Sequence, residues 1–285
     1  MLNRRTLLKH AALLAALSPL RSVAATNNKR FNIGACDWSL GKRADIAAFD
    51  IAKQIGLDGI MVDLGSADKN LPLRDAAVQQ AYLQASKQTG IKISSIAIGE
   101  LNNVPYKSDE RTIQWVSDSI DVAKNFGVTV VLLAFFNKND LRNDAQGKQV
   151  VIERLKEVSP KAEKNGIILG IESYLDAAEH LEIIDQVGSP NIKVYFDFRN
   201  TADAGYDVIK EVKQLGADMI CELHMKENGF LLGEGTLNWQ RIRDALYEMN
   251  YAGDGWMQIE WAMPKDARVV EAYKHNLQFL QNIFN

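Results

Sequence analysis

The chain has 285 residues, 47% of them hydrophobic, with 33 Lys and Arg against 36 Asp and Glu and a formal net charge of −3. That length suits one α/β barrel or two smaller domains, and it is ample for a large buried core. Mild acidity without a basic run argues against nucleic acid and anionic membranes as partners.

Residues 1–25 read as a segment apart from the fold. Asn3-Arg4-Arg5-Thr6-Leu7-Leu8-Lys9 is a twin-arginine pattern, 11–17 is a short apolar run, and Val23-Ala24-Ala25 is a small-residue cleavage site. The apolar run is too short to cross a bilayer. The expectation is a mature chain over 26–285 in the periplasm, or otherwise outside the cytoplasm, exported folded with any metal already loaded. Removing Arg4, Arg5, Lys9 and Arg21, with no acid among them, takes the net charge to −7.

From residue 31 onward, strand and helix patterns alternate without a break. Strands are expected over 31–35, 59–64, 91–98, 128–135, 167–172, 192–197, 219–224 and 255–260. Helices are expected over 47–55, 73–89, 111–126, 148–165, 176–187, 206–215, 239–249 and 267–283. Gly56, Gly90, Gly127, Gly166 and Gly216 fall just after helices, where a left-handed residue ends the helix before the next strand. Eight such strand–helix pairs predict a single (β/α)8 TIM barrel with no second domain. The longest irregular stretches, 100–110 and 136–146, follow the third and fourth strands, where they can wall a substrate pocket. The two cysteines, Cys36 and Cys221, lie on or beside the first and seventh strands, which are not neighbours in a closed barrel. They are expected to be buried packing residues and not a disulfide.

Three of these strands finish on a carboxylate, at Glu172, Asp197 and Glu260, and the seventh finishes on His224. In a parallel barrel all four reach one half of the C-terminal rim, where such barrels carry their chemistry. One neutral imidazole with three carboxylates suits a divalent cation such as Mn²⁺, Mg²⁺, Co²⁺ or Zn²⁺. Without a cation the acids repel one another and at least one is driven toward protonation.

The other half of the rim is left for substrate. Trp38, just past the first strand, offers a flat apolar face to a sugar ring, or else a core ring. Asp37, Glu100 and Asn102 are candidates to hydrogen-bond hydroxyls. Lys226, two residues past His224, points to the same side if the strand continues, and can donate to a substrate oxygen. Glu222 shares that parity, which places an acid inside the barrel that needs a partner such as Lys226 or Lys193. Asn200 and Glu234 are candidates to support the ligands from behind.

These pieces together resemble the xylose isomerase-like TIM-barrel superfamily, the sugar phosphate isomerase/epimerase group. The resemblance spans the whole mature chain and is carried by Gly170-Ile171-Glu172, Phe196-Asp197 with Asn200, His224-Met225-Lys226-Glu227, Gly233-Glu234-Gly235 and Ile259-Glu260. It implies one divalent metal on the four strand-end residues, with Glu172 and Glu260 also serving as the acid/base pair. Two positions depart from the pattern: Phe230 stands where ketose 3-epimerases carry arginine, and Met61 where relatives often have glutamate.

The implied reaction is isomerisation or epimerisation, by proton abstraction beside a carbonyl through an enediolate. A lyase or hydratase acting on a keto-sugar or 3-keto-glycoside would use the same groups. A periplasmic sugar-binding protein and an abasic-site endonuclease are weaker fits, the latter because the chain has only four histidines. An exported protein is expected to meet a free sugar or keto-sugar as its partner and not a sugar phosphate, with a homo-oligomer as one possible assembly.

Overall fold

The structure, a computed structural model, describes residues 31–284. The twin-arginine segment read over 1–25 lies outside the described residues. Among these residues, eight parallel strands close on themselves in sequence order, β1 pairing with both β2 and β8. They are β1 (Asn32–Cys36), β2 (Gly59–Asp63), β3 (Lys92–Ile98), β4 (Val130–Phe135), β5 (Ile168–Ser173), β6 (Ile192–Asp197), β7 (Ile220–Lys226) and β8 (Trp256–Glu260). The (β/α)8 barrel expected from the alternation is the observed fold.

The helices outside the barrel are α1 (Ala48–Ile55), α2 (Ala76–Thr89), α3 (Arg111–Phe126), α4 (Ala145–Asn165), α5 (Ala177–Val187), α6 (Phe198–Asp203), α7 (Val208–Leu215), α8 (Trp239–Glu248) and α9 (Val269–Phe284). Their apolar faces meet the outward side chains of the strands in one continuous core that includes Ile33, Val131, Leu133, Leu169, Ile171 and Ile259. The strands therefore read as near-unbroken apolar runs.

Local chemistry sets the helix ends. Asp75 caps α2 by accepting from the amides of Ala77 and Val78, so α2 starts three residues later than the apolar pattern suggests. Asp176 and Glu179 form a reciprocal capping box on α5. Gly56, Gly90, Gly127 and Gly166 all close helices in the left-handed region, as their spacing predicts. Gly216 differs, with φ 74° and ψ 164°, a region open essentially to glycine alone.

Three departures from the sequence reading bear on function. Strand β7 runs on to Lys226 and does not stop at His224. Helix α6 follows β6 directly and is a helix that the sequence pattern did not reveal. Asp197 is at once the last residue of β6 and the cap of α6, accepting from the Asn200 amide at 2.8 Å.

Inside the barrel, the buried Glu222 does not pair with Lys226 or Lys193. Its Oε1 accepts from Ser95 Oγ at 3.0 Å, Tyr195 OH at 3.0 Å and Gln258 Nε2 at 2.6 Å. Burial, then the adjacent Glu222, push the Asp254 carboxyl up to about 10, so this pair of acids holds a proton at neutral pH. Both cysteines are free and buried. Cys221 packs near the lower barrel, with its Sγ 3.3 Å from the Val194 carbonyl.

Candidate metal centre

Barrel register explains how the four strand-end residues meet. Asp197 on β6 lies opposite His224 on β7, and Lys226 on β7 lies opposite Glu260 on β8. Glu222, His224 and Lys226 share one parity and all point inward, stacking an acid, an imidazole and an ammonium along one strand. Glu172 arrives from β5, across β6 from His224. All four residues are buried, and one donor atom from each lies within 4.8 Å of the others.

His224 Nδ1 is the hub. It lies 2.9 Å from Glu172 Oε1, 3.7 Å from Glu260 Oε2 and 3.8 Å from Asp197 Oδ2. Its other ring nitrogen, Nε2, sits 3.2 Å from the Cys36 thiol, so only Nδ1 faces the carboxylates. The Tyr195 ring packs against the imidazole at 4.5 Å and Trp38 meets it edge-on at 6.2 Å, which fixes the plane of the ring.

The electrostatics are those of a cluster built around positive charge. Burial alone lowers the affinity of His224 for a proton, but Glu172 and Glu260, helped by Asp197, outweigh it and hold the imidazole at about 9. Burial pushes Asp197 up to about 7, offset in part by Lys226 and reinforced by Glu172 and Glu260. Burial also acts to raise Glu260, but Lys226 and His224 overcome it and bring that carboxyl down to about 2. Asp197 Oδ2 is buried without a hydrogen-bond partner, a lone pair aimed at the centre of the group. An imidazole nitrogen and three carboxylate oxygens converging on one point, one of them orphaned, fit a divalent cation.

Several predicted residues join this centre. Lys226 Nζ pairs with Glu260 Oε2 at 2.8 Å, lies 3.5 Å from Asp197 Oδ2, and donates to Asn200 Oδ1 at 3.1 Å. Asn200 in turn donates from Nδ2 to Glu172 Oε1 at 3.2 Å, so it links three of the group from behind. Trp38 donates from its indole nitrogen to Glu260 Oε1 at 2.8 Å, a polar role in addition to the flat face foreseen for it. All three also line a cavity of about 380 Å³ above the quartet.

Others do not join it as expected. Asn102 lines the cavity, but its Oδ1 is occupied by the Phe136 amide at 2.9 Å. Glu100 is buried behind the wall, bonded to Arg43 Nη2 and Asn103 Nδ2, each at 3.3 Å. Asp37 is also set back, accepting from the amides of Ala44 and Asp63. Glu234 is exposed on the loop after β7 and no side-chain contact brings it to the centre. The acid that organises that loop is Glu227, fully buried, which accepts from the Leu237 amide and the Trp239 indole at 3.1 Å each. Gly235 is required there, because a Cβ would lie 2.1 Å from the Glu227 carboxylate. Of the two departures noted in the sequence, Met61 is buried beside Cys36 and Ala97, and Phe230 is 48% exposed.

Sequence reasoning missed Arg43 and Asp63. Arg43 lies in the loop after β1, bonds Asp63 Oδ1 through Nε at 3.1 Å, and forms part of the cavity wall. No spacing rule marks an arginine in that loop, and its partners come from β2 and the segment after β3.

Comparison with known proteins agrees with this geometry. The chain is 27% identical over 225 residues to 2-epi-5-epi-valiolone 7-phosphate 2-epimerase of an Actinoplanes species, covering 75% of this chain and 81% of that protein. It is 28% identical over 128 residues to D-psicose 3-epimerase of Enterocloster bolteae, 41% of this chain and 42% of that one. The structure of D-psicose 3-epimerase from Clostridium cellulolyticum H10 superposes with a TM-score of 0.75 over 89% of this chain and 99% of that one; at 15% identity the likeness is one of fold. Residues 49–283 match the family described as the xylose isomerase-like TIM barrel, and with that match covering most of its length the chain belongs to this family.

Proposed function

We propose that this protein is a divalent-metal-dependent sugar isomerase/epimerase, with Glu172, Asp197, His224 and Glu260 as ligands and Glu172 and Glu260 as the acid/base pair. The observation that carries this reading is the convergence of those four donor atoms within 4.8 Å beside a cavity with room for a sugar. The two relatives recognised by sequence bear the names of epimerases, which supports the same class.

When bound, the metal supplies Lewis acidity to a substrate carbonyl and its neighbouring oxygen. The chain's own groups do the rest. Glu172 and Glu260 come from β5 and β8, strands that are not neighbours, so they flank the space above the metal ligands from different sides. One takes the proton from the carbon beside the carbonyl and the other returns a proton to the opposite face, which inverts that carbon. Return of the proton to the adjacent carbon is isomerisation. Lys226, already an ammonium held between Asp197 and Glu260, is placed to donate to an oxygen of the enediolate. Lys226 and His224 keep Glu260 ionised, and the Trp38 indole bond orients it.

Mn²⁺ is the metal we favour from a mixed nitrogen and oxygen donor set rich in carboxylates. The twin-arginine pattern supports export, and with it an unphosphorylated substrate. The names of the relatives differ on this point, one containing a phosphate and one not.

The test is proton exchange in D₂O, followed by NMR, with metal-loaded protein and a panel of ketoses and keto-sugars. Deuterium entering a carbon beside the carbonyl, with the carbon skeleton intact, is the expected result. Glu172→Gln and Glu260→Gln, compared at saturating metal, should each slow exchange by about 10²–10⁴-fold. Elimination products in place of exchange would make the protein a lyase, and bound metal with no exchange from any substrate would sink the catalytic reading.

A further inference from the structure

The cavity above the quartet is larger than one sugar needs. Its volume is about 380 Å³, whereas a six-carbon sugar fills on the order of 200 Å³, the liquid volume of about seven waters. Its wall includes three aromatic rings. Phe136 and Tyr174 meet edge to face at 4.7 Å, and Trp261, directly after Glu260, lines the cavity with them.

Trp261 is the most unusual residue in this wall. Its backbone sits at φ 47°, in the left-handed region that a bulky aromatic residue rarely adopts. Its side chain is 46% exposed, one of few large apolar groups in the described residues left open to water. A strained backbone that delivers a half-exposed indole to the lining of a binding cavity is the pattern of a ligand clamp. Were the indole needed only for packing, it would be buried with the other core rings.

The charges around the cavity point to an uncharged ligand. Among the described residues, the two cations in its wall are both committed. Arg43 is tied to Asp63 at 3.1 Å and Glu100 at 3.3 Å, and Lys226 to Glu260 and Asp197. Arg142, stacked over Tyr174 at 4.5 Å, forms a fork with Asp140. With the metal and Lys226 taken up by the carbonyl-bearing end of the substrate, a phosphate dianion elsewhere in the cavity would have only Arg43 to receive it, already tied to Asp63 and Glu100. The remaining polar groups, Asn102, Asn103 and Asn137, suit neutral hydroxyls.

We propose that the outer part of this cavity is a second subsite with Trp261 as its platform, and that the substrate is an unphosphorylated carbonyl sugar bearing a second ring. The proposal rests on the sugar-metal reading above. The carbonyl-bearing ring lies over the quartet, and the second ring lays its C–H face on the Trp261 indole, as apolar sugar faces do on aromatic rings.

Titration calorimetry of the Mn²⁺-loaded protein tests this without requiring turnover. The probes are D-fructose, D-fructose 6-phosphate, and the disaccharide ketoses isomaltulose, maltulose, turanose and lactulose. Isomaltulose and fructose 6-phosphate both extend the ketose at its sixth oxygen, one by a neutral ring and the other by a dianion. We expect at least one disaccharide ketose to bind about ten-fold tighter than D-fructose, the step that about 1.4 kcal/mol of stacking supplies, and fructose 6-phosphate to bind more weakly than D-fructose. Trp261→Ala should reduce the disaccharide-to-fructose ratio to about one, and Trp261→Phe should keep most of it. Fructose 6-phosphate binding as tightly as the disaccharides, or a ratio untouched by Trp261→Ala, would overturn the proposal. Carbon-bound proton exchange without a disaccharide preference sinks the subsite alone; a disaccharide preference without exchange leaves the subsite standing and sinks the catalytic reading alone.

Discussion

The metal-free quartet should be a weak point of the fold, and Asp197→Asn should relieve it. In the folded protein burial drives the Asp197 carboxyl up to about 7, from 3.8, with Lys226 only partly compensating and Glu172 and Glu260 adding repulsion. A raised carboxyl holds its proton more tightly folded than unfolded, so ionisation destabilises the fold. The penalty is absent below about pH 3.8, grows as pH rises toward 7, and is complete above it. At 1.36 kcal/mol per pH unit the gap between 3.8 and about 7 amounts to about 4 kcal/mol. Asparagine keeps the oxygen that caps the Asn200 amide at 2.8 Å but buries an amide with imperfect partners, which takes back about 2 kcal/mol. The expected net gain, about 2 kcal/mol at pH 8 in EDTA, corresponds to a rise of about 1 M in the urea midpoint; at pH 4, where the penalty is nearly gone, only the amide cost remains and the variant should be the less stable by about 2 kcal/mol. With Mn²⁺ the order should reverse, because the parent gains about 2.7 kcal/mol at a metal concentration 100-fold above Kd and the variant, short of a ligand, gains little. A variant less stable than its parent in EDTA at pH 8 would refute the claim that these acids are held together for a cation.

Removing the indole bond in Trp38→Phe, which frees Glu260 Oε1 of its 2.8 Å donor, should slow proton exchange by about ten-fold at saturating metal, read by the same NMR assay. Gly235→Ala should destabilise the protein by about 2 kcal/mol or more in urea unfolding, because its Cβ would lie 2.1 Å from the buried Glu227 carboxylate. His180 is buried with its ring nitrogens near Ser173 Oγ and the Asp176 carbonyl, and burial lowers it to about 4 against the bonds and acids that favour its charge. The unfolded chain therefore takes up a proton near pH 6.5 that the folded chain refuses until about pH 4. Stability should fall by about 3 kcal/mol across that window, and His180→Asn should remove this part of the slope of midpoint against pH.

The fold and all four residues of the candidate quartet were legible because both follow from short-range patterns. Apolar runs of strand length that end on a single ionisable residue say where that side chain goes, since a parallel barrel presents all its strand ends on one rim. Lys226 was legible by parity alone, and β7 carries it to the same interior as His224. What stayed hidden depends on barrel closure. Glu222 finds Ser95, Tyr195 and Gln258, which come from β3, β6 and β8 and meet only when the sheet curls round. Two lysines looked better placed as partners, because charge complementarity is visible in a sequence and a ring of neutral donors is not. Arg43 is hidden because its partners Asp63 and Glu100 come from β2 and the segment after β3, and Glu234 is marked in place of Glu227 because burial in that loop is set by its folding. Glu227 closes the 224–227 segment and Glu234 stands between Gly233 and Gly235, and only the turn that folds Gly235 onto Glu227 shows which acid is buried. The acids that a sequence marks as functional are thus those at strand ends, where geometry is fixed by the ladder. Acids in the loops acquire their roles from contacts across the rim, and for this chain those contacts place Asp63 and Glu100 on Arg43 and leave the cavity with no unpaired cation among its described lining residues.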